Sequence, residues 1–394
     1  MFKAPKVMLL IAPTRAFDRG LLQGIARYAN EYGPWTFYRE PPHYQAVDWK
    51  KKVSDRLRAR QVDAIIMREP EQIEEIIQYG VPGICAPVTR QTIDGFINVA
   101  IDNDAVGRLG AEHLIQCGFR HFAYCGFQGI YWSIKRGEAF ERSIRETGRP
   151  SHVYQPPGSK EVQGLWEKEE PLLVGWLKSL PKPVGIMTCN DDRSQHVLDA
   201  CRAAQIHVPG EVAIIGVDND EFICRLANPP LSSICLNSEK LGYQAAQLLD
   251  PVMRGQAATQ TLVIGGPTHV IARSSTNILL VEDKDMAEAL RFIQEHADRP
   301  LQVDEVAEAV AVSRRTLQDR FTKAVGRSIH SHILRERVNR ITQLLVETNL
   351  TVAEIAEQME FSSPKQLDRV FTRFQGIPPT VYRARYCVKK QKES

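Results

Sequence analysis

Eight cysteines (Cys85, Cys117, Cys125, Cys189, Cys201, Cys224, Cys235 and Cys387) are the first side chains in this sequence that could do chemistry. They are scattered singly, with no CxxC pair, and none has an obvious activating His or basic motif beside it. A chain of 394 residues builds a core without disulfides, so free and mostly buried thiols are expected. His330-Ser331-His332 has i, i+2 spacing, which on a helix splays the rings apart and argues against a metal site. No G-x-x-x-x-G-K-[ST] phosphate loop, H-E-x-x-H pair or G-x-S-x-G elbow occurs. No enzyme chemistry, cofactor or metal is expected. The polar groups that remain suit binding.

One set lies in an internal near-repeat. Val303–Phe321 and Val352–Phe371 each read as a short helix with a small residue, Ala307 or Ala356, then a turn and a second helix. The small residue lets the two helices cross closely. Leu317 with Phe321, and Leu367 with Phe371, anchor the second helix at i, i+4. Its exposed positions carry long polar side chains able to reach base edges. Charge agrees: from Ser313 onward there are 16 Lys or Arg against 8 Asp or Glu, although the whole chain carries only +3. A basic region on an acidic body points to a polyanion partner for that region alone.

Stepping N-terminally, residues 1–280 alternate apolar β-rich runs with amphipathic segments. Val7–Ile11, Val62–Met67, His121–Cys125, Val184–Cys189 and Val212–Val217 read as strands. Gly20–Glu31, Ala105–Cys117 and Arg193–Gln205 read as helices. Strands separated by helices predict doubly wound parallel α/β structure, here in two lobes, with ligand at the carboxyl ends of the strands. No apolar run approaches the roughly 20 residues that span a bilayer. A short apolar start at Val7–Ala12 is interrupted by Thr14-Arg15, so a cytoplasmic protein is expected.

The stretch Ile101-Asp102-Asn103 through Gly126, the segment Gly185–Asp191 and above all Val208-Pro209-Gly210-Glu211-Val212-Ala213-Ile214-Ile215-Gly216-Val217-Asp218-Asn219 resemble the ligand-binding core of LacI-type regulators. The likeness covers roughly residues 5–273 in the family's order. It implies a periplasmic-binding-protein-like sensor whose cleft uses Asp102, Arg136, Asn190, Asp191 and Asp218. Carboxylates and a guanidinium supply the fixed acceptors and donors that sugar hydroxyls need. Phe17 or Trp132 would cover the apolar face of the ring, and Phe17-Asp18-Arg19 sits where a cleft loop belongs. Duller roles stand beside these: turn caps for Asp102 and Asp218, an N-cap for Asn190-Asp191, a surface ion pair for Arg136, core positions for Phe17 and Trp132. With the first strand expected at Val7, the family's usual N-terminal DNA-binding headpiece is not expected here.

The tail, over about residues 286–386, resembles the AraC-type DNA-binding domain, including its ending Arg369–Arg383. Carried over residue by residue, Arg314, Arg315 and Gln318 face the major groove from the first recognition helix, and Lys365, Gln366 and Arg369 from the second. Arg320 and Arg373 are expected to contact phosphate or brace the domain. Glu360 stands where a turn glycine is usual, so that turn differs or strains a non-glycine residue. Ile341 replaces a usual alanine in the connecting helix.

A LacI-like sensor over residues 1–275, a linker over 276–286 and an AraC-type reader with two helix-turn-helix motifs over 287–394 are therefore expected. This order resembles the xylose-operon activators of bacteria. It implies a D-xylose-dependent activator, acting as a homodimer on two DNA half-sites and contacting RNA polymerase. The alternatives are the same architecture sensing another sugar or a nucleoside, and, in a different class, a DNA-linked thiol transferase.

Overall fold

The computed structural model describes residues 4–39, 53–155, 166–276, 284–325 and 328–386. Most of the expected linker (277–283) and the terminal 387–394, with Cys387 and the Lys389-Lys390-Gln391-Lys392 run, lie outside the described residues.

Two six-stranded sheets form the α/β part. The first contains β1 (Lys6–Leu10), β2 (Thr36–Arg39), β3 (Ala64–Arg68), β4 (Gly83–Ala86), β5 (Ile97–Ile101) and β11 (Leu262–Gly265), in the order β11-β5-β4-β3-β1-β2. The second contains β6 (His121–Cys125), β7 (Ser151–Val153), β8 (Val184–Thr188), β9 (Val212–Val217), β10 (Ser232–Leu236) and β12 (Pro267–Ile271), in the order β12-β10-β9-β8-β6-β7. Apart from the β10–β12 edge pair, neighbouring strands are parallel, for example Val7 opposite Ala64 and Gly185 opposite Ala213. Every residue of β8 and β9 is buried, because helices cover both sheet faces; this is why these strands are apolar without alternation.

The connecting helices are α1 (Ala16–Tyr32), α2 (Val53–Arg60), α3 (Ile73–Tyr79), α4 (Asn103–Gln116), α5 (Tyr131–Arg145), α6 (Trp166–Ser179), α7 (Asp191–Ala203), α8 (Glu221–Leu226) and α9 (Ser238–Met253). The chain divides into two compact units. One holds residues up to 103, 127–136 and 236–267; the other holds 104–126, 137–235 and everything from 268 onward. Within the first unit α1 lies against α9 at backbone contact. A Cβ on Gly24 would come within 1.8 Å of the Glu239 carbonyl oxygen, so this crossing admits nothing larger than glycine.

Seven helices follow: α10 (Lys284–Glu295), α11 (Val303–Ala309), α12 (Arg314–Val325), α13 (Ile329–Glu347), α14 (Val352–Gln358), α15 (Pro364–Gln375) and α16 (Pro379–Tyr386). They form two small cores. Val306, Ala307, Leu317 and Phe321 centre one; Ile355, Ala356, Leu367 and Phe371 centre the other. The near-repeat in sequence is thus a repeat in space. Helix α13 joins the cores, giving Ile329 and Ile333 to the first and Val338, Ile341 and Leu345 to the second. Ile341, fully buried, fills volume that an alanine would leave open.

Candidate effector and DNA-binding sites

In the first unit the expected residues gather at carboxyl ends of strands. Phe17 and Asp18 open α1 just after β1. Asp18 is buried and accepts hydrogen bonds from Arg68, the last residue of β3, through Nε at 3.1 Å and through Nη2. The same guanidinium lies 5.5 Å from the Phe17 ring centre. Glu69, next in the chain, accepts from the amides of Val88 and Thr89 at 2.6 and 2.7 Å, from the Thr89 hydroxyl and from Arg90. Burial opposes ionisation there, yet these donors hold its carboxyl below the usual range. The loop after β4 is thereby fixed.

Asp102 follows β5 and is exposed, its amide donating to the Gly265 carbonyl at 2.7 Å. Arg136 is 4% exposed, donates to Asn103 Oδ1 at 3.1 Å and stacks over the Trp132 ring at 4.9 Å. It is no surface ion pair. The Trp132 indole N–H is buried and has no hydrogen-bond acceptor among the described residues. An apolar ring face and a donor without an acceptor, beside a buried guanidinium, can bind a polyhydroxylated ring.

In the second unit the groups follow β8 and β9. Asn190 caps α7, its Oδ1 accepting from the Arg193 amide at 3.0 Å. Asp191 is 2% exposed and uses both oxygens internally, accepting from the Ser233 hydroxyl at 2.6 Å and the Asp220 amide at 2.7 Å. Burial, and the charge of nearby Asp218, push its pKa well above the ordinary carboxylate value. The bonds to Ser233 and the Asp220 amide make Asp191 a brace for the turn after β9. Asp218 and Asn219 carry positive φ of 102° and 48°. That backbone is held by Asp218 N–H to Ile234 O, Asn219 N–H to Ser233 Oγ, and Arg273 to Asn219 Oδ1 at 2.8 Å. Gly216 is obligatory here, since its Cβ would stand 2.2 Å from Asp191 Oδ1.

Arg68, Glu69, Asn103, Ser233 and Arg273 were not singled out from sequence as site residues. One expectation about thiols also changes. His113 lies one turn before Cys117, with Nε2 3.7 Å from Sγ and 2.9 Å from Thr276 Oγ1. Burial lowers its pKa to about 4, so the ring is neutral at physiological pH and does not stabilise a thiolate.

The reader positions its polar groups by a repeated local design. Glu305 accepts from the Gln302 amide and Glu354 from the Thr351 amide, each starting a first helix. Each turn bends through a left-handed non-glycine residue: Ala311 at φ 51° and Glu360 at φ 52°. Val312 then donates to Ala307 O, and Phe361 to Ala356 O. Arg337 clasps the second turn, donating to the Met359 carbonyl with its guanidinium 4.1 Å from the Phe361 ring centre. Ser313 and Ser363 accept from the Thr316 and Gln366 amides at the starts of α12 and α15.

Arg315, Gln318, Lys365 and Arg369 project exposed from these two helices. Arg314 is exposed as well, paired with Asp304 at 2.9 Å. Arg320 braces the domain through Asp285 at 3.0 Å. Gln366 departs from expectation: its Oε1 accepts from the amide and hydroxyl of Ser362, so it closes the helix start instead of offering its carbonyl to a base.

Two α/β units and a tandem helix-turn-helix reader define a DNA-binding transcription regulator. The periplasmic binding protein-like domain family matches residues 111–276 and the helix-turn-helix domain family matches 306–385. Over 387 residues the chain is 29% identical to the xylose operon regulatory protein of Haemophilus influenzae, covering 96% of this chain and 98% of that one. The protein of the same name from Escherichia coli K12 is 29% identical over 390 residues, 97% of each chain. A solved xylose-binding transcription activator, XylR, superposes with a TM-score of 0.59 at 27% identity, over 98% of this chain and 100% of that one. The chain is similar to these xylose operon regulatory proteins over nearly all of its length. Among the described residues no helix is long and apolar enough to cross a membrane.

Proposed function

We propose that the protein is a cytoplasmic, D-xylose-dependent activator of a pentose catabolic operon. In this reading residues 1–275 sense the sugar, 276–286 link and 287–394 read DNA. The observation that carries the sugar reading is the group of Trp132, Arg136 and Asn103, a half-buried aromatic face with a donor that has no acceptor among the described residues. In this reading Phe17, Asp18 and Asp102 of the first unit and Asn190 and Asp218 of the second are further sugar contacts, and Asp191 braces the turn after β9 through Ser233 and the Asp220 amide. The choice of xylose rests on the names of the full-length relatives.

Sugar binding favours whichever state holds it more tightly, in proportion to its differential affinity. The reader's two recognition helices suit successive major grooves, about 34 Å apart on one DNA face. Self-association would place two readers on adjacent half-sites, where the bound pair contacts RNA polymerase. Phe222 and Leu226 support a dimer: one turn apart on α8, they are 70% and 83% exposed, an apolar pair suited to an isologous contact.

A thermal-shift titration with D-xylose, L-arabinose, D-ribose, D-glucose and a nucleoside tests the effector. At about 100 times the dissociation constant a ligand adds roughly 2.7 kcal/mol to the native state. A saturable shift with D-xylose alone is the expected result. A shift with another ligand replaces the effector and keeps the regulator; no shift with any removes the sugar site.

A further inference from the structure

The route from effector to DNA is the part of the mechanism left open above, and one buried contact bears on it. Tyr382, on α16 of the reader, is 4% exposed and donates its hydroxyl to the backbone carbonyl of Thr268 on β12. Thr268 occupies a special place in the chain. It is the first residue of the second compact unit after the excursion 236–267 through the first unit, and Cys235 is the last residue before that excursion. The Thr268 hydroxyl donates to the Cys235 carbonyl at 3.3 Å, tying the two crossings to each other. Any conformational response shared by the units must be absorbed in backbone torsions at such crossings. A reader side chain therefore bonds to the backbone where a response has to pass.

The rest of the junction is built to hold register without being a core. The exit segment is anchored: Ser275 donates to Ile214 O at 2.6 Å, and Thr276 Oγ1 meets Ser232 Oγ at 2.6 Å and His113 Nε2 at 2.9 Å. On the reader side Tyr382 packs edge-on against Phe371 of the second recognition helix, with ring centres 5.3 Å apart. Beside this contact lies a cavity of about 220 Å³ with a mixed lining from both domains, whose polar side chains include Gln116, His269, Asn339 and Gln375. A junction that is partly open and partly polar can separate at the cost of a few hydrogen bonds, unlike the close-packed cores on either side.

We propose that Tyr382 is a coupling latch: its hydroxyl on the Thr268 carbonyl transmits the effector-dependent state of the crossing strands to the second recognition helix through Phe371. The latch rests on the regulatory reading above, and its test separates the two. DNA affinity is measured by anisotropy with and without D-xylose, on a duplex selected from a random pool by the full-length protein. The proteins are the natural chain, Tyr382→Phe and Phe371→Leu.

Tyr382→Phe keeps the ring and its packing. The ratio of DNA affinities with and without sugar is expected to move toward one by roughly fivefold, the equivalent of one ordinary hydrogen bond. Sugar affinity without DNA stays unchanged. By linkage, the effect of DNA on sugar affinity shrinks by the same factor. Phe371→Leu, which leaves the hydroxyl but removes the ring it acts through, should weaken DNA binding and move the ratio toward one as well; a ratio kept in this variant overturns the route through Phe371. An unchanged ratio in Tyr382→Phe overturns the latch while the regulatory reading stands. Amide exchange supplies an arm independent of effector: Tyr382→Phe should exchange faster over 267–271 whether or not sugar is present. Unaltered exchange there overturns the latch even if D-xylose proves to be the wrong effector.

Discussion

The strand ends of the α/β units and the recognition helices of the reader hold their polar side chains in opposite ways. In the α/β units three of the groups are buried and held by other polar groups: Asp18 by Arg68, Arg136 by Asn103, Asp191 by Ser233 and the Asp220 amide. On the helices they are exposed, and apolar anchors such as Leu317 and Leu367 set their direction. The first arrangement fixes geometry before a small ligand arrives, which suits discrimination among similar hydroxyl patterns. The second leaves long side chains free to reach a large polyanion. A substitution at a strand end should therefore disturb stability and ligand binding together, whereas one on a recognition helix should alter DNA binding alone.

The largest effect tests the first half of that contrast. Arg136→Leu removes a buried guanidinium that would form charge-assisted bonds to the sugar, each worth about 1.5–3 kcal/mol. Sugar affinity, read by calorimetry, should fall at least about 100-fold, while effector-free DNA affinity stays within about twofold. Sugar binding that survives Arg136→Leu would remove Arg136 from the site.

Gly216→Ala comes next. The added methyl would overlap Asp191 Oδ1, so Asp191 must move from Ser233 and the Asp220 amide. Overpacking of this kind costs about 1–3 kcal/mol in urea unfolding. Arg369→Ala, on an exposed helix face, should change stability by less than about 0.5 kcal/mol. Its DNA affinity should nonetheless drop by about 1–3 kcal/mol. Equal stability losses in the two variants would break the contrast.

A finer division lies within α15 itself. Gln366→Ala should lose about 1 kcal/mol of stability, because the loop before the helix loses the acceptor for Ser362. It should leave the selected base sequence unchanged. A shift in base preference without a stability loss would return Gln366 to the base-reading set.

Legibility in the sequence followed the same divide. The strands at Val184 and Val212 and both helix-turn-helix copies could be read because their signals are local: an apolar run, a small residue at the crossing, Leu and Phe one turn apart. The N-cap role of Asn190 could also be read, three residues from its partner amide. Arg68 could not, because what makes it matter is Asp18, fifty residues away and on another strand's carboxyl end. The same holds for Ser233 beneath Asp191 and Arg273 on Asn219. Type and position alone marked Asp191 and Asp218 as equals. Only burial separates them, and burial is a property of the assembled sheet. Tyr382 was the hardest, since its partner is a backbone carbonyl that carries no residue-type signal.

The smallest expected effect sharpens the comparison between the two reader copies. Ala311 and Glu360 occupy equivalent turns at nearly the same left-handed φ, 51° and 52°. A non-glycine residue there costs about 1–2 kcal/mol. Glycine relieves this but loses about 0.5–1 kcal/mol through the greater freedom of its unfolded chain. Glu360→Gly and Ala311→Gly should therefore each stabilise the reader by about 0.5–1 kcal/mol in chemical denaturation. The second turn carries an additional tie, because Arg337 donates to the Met359 carbonyl and covers Phe361. If that clasp enforces the turn, Arg337→Leu should destabilise the natural protein more than it destabilises Glu360→Gly. Additive losses in the double variant would mean that Arg337 packs against the turn without holding its backbone in the left-handed conformation.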